Sequence, residues 1–116
     1  MNINTAVASL GALAHETRLQ VFRLLVRAGE EGMSVGRIAE MLGVEANGSF
    51  SFHLKELVQA GLAKTRQEGR YIYYVTQYEA MNELLRYLTE DCCGGMSCEA
   101  VVETCNPKTH KSRKAA

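Results

Sequence analysis

The feature that most constrains this chain is the order of segments near its middle. Val35, Ile38, Ala39 and Leu42 fall at i, i+3, i+4 and i+7, one apolar stripe on a short helix that Ser34 can cap and Gly43 can close. After the turn from Val44 to Gly48, Phe50, Leu54, Leu57 and Val58 repeat at i, i+4, i+7 and i+8 and predict a further helix that stops at Gly61. Two short helices about a glycine-bearing turn fit a helix-turn-helix, and equally fit a plain helical hairpin in a bundle. The next segment separates the two. Leu62 to Thr65 and Tyr71 to Val75 are strand-like runs around Arg66-Gln67-Glu68-Gly69-Arg70, a β-hairpin with a charged, glycine-containing tip. A hairpin directly after the second helix is a wing, able to lay Arg66 and Arg70 along a phosphate backbone while the helix enters the major groove. The predicted fold is mainly α with a small β-hairpin, a winged helix-turn-helix.

Helices are also expected on both flanks. Thr5 can cap a first one carrying Val7, Leu10 and Leu13; a second has Leu19, Phe22, Leu25 and Val26 on one side and ends at Gly29 and Gly32. The last runs from about Gln77 to Glu90 with Met81, Leu84, Leu85 and Leu88 on one face. A chain of 116 residues builds one modest core. The first and last helices then have little left to cover inside one subunit, so they are expected to pair across the axis of a homodimer, the symmetry that reads two half-sites on DNA.

Apolar residues make up 47% and charged ones 22%, which excludes a disordered chain. Met1 to Ala14 lacks the basic start and long apolar run of a secretory signal, and no window approaches the roughly 18 uncharged apolar residues of a membrane helix. No membrane partner is expected, and the cytoplasm, where thiols stay reduced, is the expected compartment. Net charge is zero, but the charges are unevenly placed. From His53 to Val75, Lys55, Lys64, Arg66 and Arg70 outnumber Glu56 and Glu68; Glu90, Asp91, Glu99 and Glu103 make the following segment acidic; Lys108 to Lys114 is basic. Phosphate attraction depends on the face presented to the duplex, so the local excess outweighs the total.

On the second helix of the pair the apolar stripe leaves Asn47, Ser49, Ser51, Phe52, Lys55 and Glu56 facing elsewhere. Asn can pair with adenine, Ser with phosphate or base, Lys with guanine or phosphate, and Phe52 can rest against a thymine methyl. The expected partner is double-stranded operator DNA. His53 fits packing beside Leu54 and Leu57 at least as well as a DNA contact.

Four stretches carry a resemblance: Leu13-Ala14-His15-Glu16-Thr17-Arg18-Leu19, Ser51-Phe52-His53-Leu54-Lys55-Glu56-Leu57, Ala60-Gly61-Leu62 and Gly69-Arg70-Tyr71-Ile72-Tyr73-Tyr74. In this order they resemble the ArsR/SmtB family of metal-responsive repressors over most of residues 10–90. The resemblance implies a homodimeric winged-helix repressor that holds operator DNA when metal-free and lets go when a metal or metalloid binds. It also implies base contacts at Ser51 and Phe52, although Phe52 stands where many members have His or Arg.

The family senses different ions at different places, so the inducer must be read from the residues. Arsenic-responsive members often carry Cys-Val-Cys in the first helix of the helix-turn-helix, where this chain has Met33-Ser34-Val35-Gly36-Arg37 without cysteine. Zinc and nickel sensors often use Asp and His pairs on the last helix, and Tyr78 to Glu90 has neither. What remains is Cys92-Cys93-Gly94-Gly95-Met96-Ser97-Cys98, then Cys105. Thiolates are soft donors and select trivalent arsenic and antimony, with cadmium, mercury and zinc as competitors. Trivalent arsenic takes three sulfurs in a pyramid: Cys92 and Cys93 supply two, and the Gly94-Gly95 turn lets Cys98 supply the third. This arrangement resembles those arsenic-responsive members whose site lies just past the last helix. Structural zinc is disfavoured by the lack of Cys-x-x-Cys pairs. Cys105 is a spare thiol or a fourth ligand.

The expected organisation is a DNA-binding and dimerisation domain over residues 1–91, a cysteine-rich inducer segment over 92–105 and a basic flexible tail over 106–116. The expected function is a repressor released by As(III), or Sb(III), through Cys92, Cys93 and Cys98, needing no cofactor to bind DNA. A repressor sensing cadmium, zinc or thiol oxidation is the alternative. A thiol-based redox enzyme fits least, because no cysteine sits at a predicted helix N-terminus beside a phosphate-cradling loop.

Overall fold

The structure, a computed structural model, describes residues 1–95. The chain runs α1 (Ile3–Leu13), α2 (Glu16–Ala28), a 3-10 turn (Gly29–Glu31), β1 (Met33–Ser34), α3 (Val35–Leu42), α4 (Gly48–Gln59), β2 (Ala63–Glu68), β3 (Tyr71–Thr76), α5 (Tyr78–Thr89) and a final 3-10 turn (Cys92–Gly95). Cys98, Cys105 and the basic tail lie outside the described residues.

The periodic segments fold as helices, and their caps explain their limits. Ser34 Oγ accepts from the Arg37 amide at the start of α3. At its end Gly43 N–H bonds to the Glu40 carbonyl and Val44 N–H to the Ala39 carbonyl, a Schellman closure. One cap differs from expectation. Asn2, not Thr5, caps α1, with its Oδ1 accepting from the Thr5 amide at 2.9 Å. His15 caps α2 through Nδ1, which accepts from the Thr17 amide at 3.1 Å.

The hairpin also differs. Its sheet has three antiparallel strands in the order β1-β3-β2, because Met33 and Ser34 pair with Tyr74 and Tyr73 before α3 begins. In the hairpin itself Glu68 pairs with Tyr71, so the turn is the two residues Gly69 and Arg70 rather than five. Arg66 therefore sits inside β2, opposite Tyr73.

The core gathers Val21, Phe22 and Leu25 of α2, Ile38 and Ala39 of α3, Phe50, Leu54 and Leu57 of α4, and Leu62 and Ala63. Each large side chain fully buried there contributes about 1.5–3 kcal/mol relative to exposure. Leu19, expected on the buried side of α2, is exposed, and Val21 and Leu24 are buried instead. On α1 it is the small residues Ala6, Ser9 and Ala12 that face the body, while Ile3, Val7 and Leu10 are 60%, 59% and 42% exposed. On α5 Leu84 is buried and Leu88 exposed. Both helices thus present apolar side chains that one subunit leaves uncovered. The tyrosine at the start of α5 ties that helix down: Tyr78 Oη donates to the Val26 carbonyl at the end of α2.

Candidate nucleic-acid interface and cysteine turn

Helices α3 and α4 are joined through Val44 to Asn47, and Asn47 starts α4 as its N-cap, with Oδ1 accepting from the Phe50 amide at 3.0 Å. Pairing with adenine through both ends of the amide would draw on the second lone pair of that same oxygen. Beyond the cap, Phe50, Leu54 and Leu57 turn inward, so Ser49, Phe52 and Lys55 share the outer side of α4, with Phe52 55% exposed. Ser51 is half-buried on the flank of that stripe. The outer face thus carries a hydroxyl, an aromatic ring and an ammonium at spacings of one helical turn.

The wing places its two arginines differently. Arg70 stands in the tip turn and is exposed, with Tyr71 and Ile72 exposed beside it at 60% and 45%. In the sequence those two apolar neighbours signal only a strand. Arg66 is engaged behind the wing: Nη1 donates to the Glu30 carbonyl at 3.0 Å, Nη2 to the Glu31 carbonyl at 2.9 Å, and Nε lies 3.4 Å from Glu68 Oε2. Its guanidinium also sits over the Tyr73 ring, 5.1 Å from the centroid. It pins the hairpin to the turn after α2.

His53 packs rather than points outward. Its Nδ1 lies 3.1 Å from Arg18 Nη1, and its ring centroid is 4.3 Å from that of His15. Burial first, then the electrostatic influence of His15 and Arg18, hold its pKa below the ordinary 6.5, with Glu56 opposing them.

Past α5 the chain bends sharply. Asp91 and Cys93 both have φ of 58°, and the Sγ atoms of Cys92 and Cys93 lie 3.6 Å apart. Two sulfurs sharing one tetrahedral zinc, each about 2.3 Å from it, would be about 3.8 Å apart. The pair is close to that separation, which is also that of two thiols in hydrogen-bonding contact. Among the described residues no group of three or more His, Cys, Asp or Glu is arranged to hold a metal, and the expected third ligand, Cys98, lies outside them.

A family of helix-turn-helix domains matches residues 13–66. A Halobacterium salinarum protein named as an ArsR repressor of an arsenical resistance operon is 39% identical over 70 residues, 60% of this chain and 53% of that one. The solved HlyU from Vibrio cholerae N16961 is 35% identical with a TM-score of 0.59, over 76% of this chain and 97% of that one. A homodimeric winged helix-turn-helix DNA-binding domain from Mycobacterium bovis, described as ArsR-family, is 25% identical with a TM-score of 0.61, over 84% and 89%. The chain belongs to the ArsR/SmtB family. Members of this family are DNA-binding transcriptional regulators, so the thiol-enzyme alternative falls away. The alignments span 53–66% of the length of the curated relatives. Among the described residues of this family member, no helix is long and apolar enough to cross a membrane.

Proposed function

We propose that the chain is a homodimeric ArsR/SmtB repressor that binds operator DNA when metal-free and is released by trivalent arsenic or antimony at Cys92, Cys93 and Cys98. The observation that carries the reading is the bent turn at the end of α5, where two sulfurs lie 3.6 Å apart. The same helix exposes Leu88, and α1 exposes Ile3, Val7 and Leu10, apolar surface suited to a second copy of the chain. Closing a third sulfur around the ion would reorder the segment that leaves α5 and so shift the dimer. The ion lowers DNA affinity only by binding the low-affinity arrangement better, and DNA weakens the ion by the same factor. Ser49, Ser51, Phe52 and Lys55 enter the major groove, with Asn47 holding the start of α4, and Arg70 meets phosphate. Arg66 supports the wing from behind.

The two arginines separate in one pair of measurements. Arg70→Ala is expected to reduce the salt dependence of DNA affinity by about one phosphate contact without changing thermal stability. Arg66→Ala is expected to leave that slope alone and to destabilise the fold by about 1–2 kcal/mol, through its lost bonds to the turn after α2. Reversal of the two outcomes would put Arg66 on the DNA.

The inducer is tested by release. Duplexes selected by the chain from a random pool are challenged with arsenite, antimonite, cadmium, zinc and peroxide in turn. Arsenite and antimonite are expected to release DNA at the lowest concentrations. Release by cadmium, zinc or peroxide ahead of both would keep the repressor and replace its signal.

A further inference from the structure

Besides the apolar core that α4 shares with α2, one side chain bonds it to the corner between α1 and α2. Arg18 Nε donates to the Ala12 carbonyl near the end of α1 at 2.6 Å, and Arg18 Nη1 reaches His53 Nδ1 at the middle of α4. A guanidinium only donates and stays protonated in proteins. The second bond therefore exists only while His53 Nδ1 keeps its lone pair, which fixes the neutral ring as the Nε2–H tautomer. The His15 ring, held as the cap of α2, lies against His53 at a tilt of 39°.

We propose that Arg18 is a positioning residue of α4, and that a proton on His53 Nδ1 releases it, turning a hydrogen bond into two facing cations and loosening the seat of α4 on the α1–α2 corner while its apolar face stays in the core. The inference rests on the reading of α4 as the DNA-contacting helix. The groups that act on the His53 charge are His15 and Arg18 from the α2 corner, which oppose it, and Glu56 on α4 itself, which favours it. Helix α1, which packs on α4, has no ionisable side chain, and Lys64, Arg66 and Glu68 of β2, the other packed element, do not act on it. Because the folded value is depressed below 6.5, the clamped state is fully present above that pH and is lost as pH falls through the lower, folded-state value. Acid therefore weakens DNA binding. The generic effect has the opposite sign, since added positive charge strengthens attraction to phosphate.

The test uses the full chain and a duplex it selects from a random pool, with affinity followed from about pH 8 to about pH 5 at constant ionic strength. Wild type is expected to lose about 10- to 100-fold in affinity, the effect of losing one hydrogen bond to a charged group. His53→Asn, whose Oδ1 can accept from Arg18 but does not titrate, is expected to hold its affinity flat. Arg18→Gln is expected to bind weakly at both ends of the range with no pH response. Nitrogen-15 spectra of the DNA-free chain are expected to show His53 as the Nε2–H tautomer, and to lose that preference in Arg18→Gln. Wild-type affinity that stays flat or rises on acidification, or a full pH response in His53→Asn, overturns the proposal. If no duplex is selected, the DNA-binding reading fails on its own account. The spectra then decide the clamp: Nε2–H supports it and Nδ1–H overturns it.

Discussion

Alanine at Gly32 is expected to lower the unfolding free energy by about 2–6 kcal/mol, through backbone strain and overpacking together. Gly32 has φ 70° and ψ −166°, a region essentially reserved for glycine, and it precedes β1 at the point where that strand meets β3. A Cβ there would meet the Tyr74 carbonyl oxygen and lie 2.8 Å from Val75 Cγ2. The first of these is main chain in a sheet and has no rotamer through which to yield. Gly29 is the control. It has nearly the same backbone, φ 74° and ψ −155°, but a Cβ would have nothing within 4 Å. Gly29→Ala should then lose only the strain, about 1–3 kcal/mol. Urea unfolding of both variants checks the difference, and equal midpoints would show that the clash is relieved by local movement. Because β1 leads directly into the Ser34 cap, Gly32→Ala should also displace α3 and α4 relative to the wing and weaken DNA binding.

Serine at Cys92, Cys93 or Cys98 is expected to remove release by arsenite under the proposed function. A serine hydroxyl is a hard, un-ionised donor, and trivalent arsenic left with two sulfurs loses a third of its coordination. The roughly 5- to 150-fold drop in DNA affinity that a coupling of about 1–3 kcal/mol produces should shrink towards none. Cys105→Ser should release normally. DNA affinity before arsenite is added should match wild type in every variant, since these residues follow α5 in the chain and the proposed reading face lies on α4. Normal release by all three single variants would mean that arsenic, if it acts, binds elsewhere.

Much of this site is written in the linear order of residues. The stripes Val35 to Leu42 and Phe50 to Val58 place α3 and α4, the β-branched and aromatic runs place the wing, and the spacing of Cys92, Cys93 and Cys98 needs no fold to be seen. Where the sequence leaves a choice open, competing uses of a residue are the reason. Asn47 fits adenine and fits a helix cap equally well by type, and only the start of α4 at Gly48 commits its oxygen to the cap. On α1 the apolar residues do not say which of them meet the body; the close approach uses Ala6, Ser9 and Ala12, leaving Ile3, Val7 and Leu10 outside, as pairing with a second copy would need.

The order helix, turn, helix, hairpin was determined by the sequence alone, because helix and strand periodicities and glycine turns are local properties that neighbours within a few residues express. Which charged side chains remain available was decided only in three dimensions. Arg66 and Arg70 look alike in the sequence, yet a two-residue turn sends one to carbonyls 36 and 35 positions away and leaves the other exposed. Arg18 and His53 are likewise 35 positions apart and meet only when α2 and α4 pack. Periodicity tells which face of an element is buried; it carries no information about the partner brought against that face, and hydrogen bonds between remote segments are chosen there.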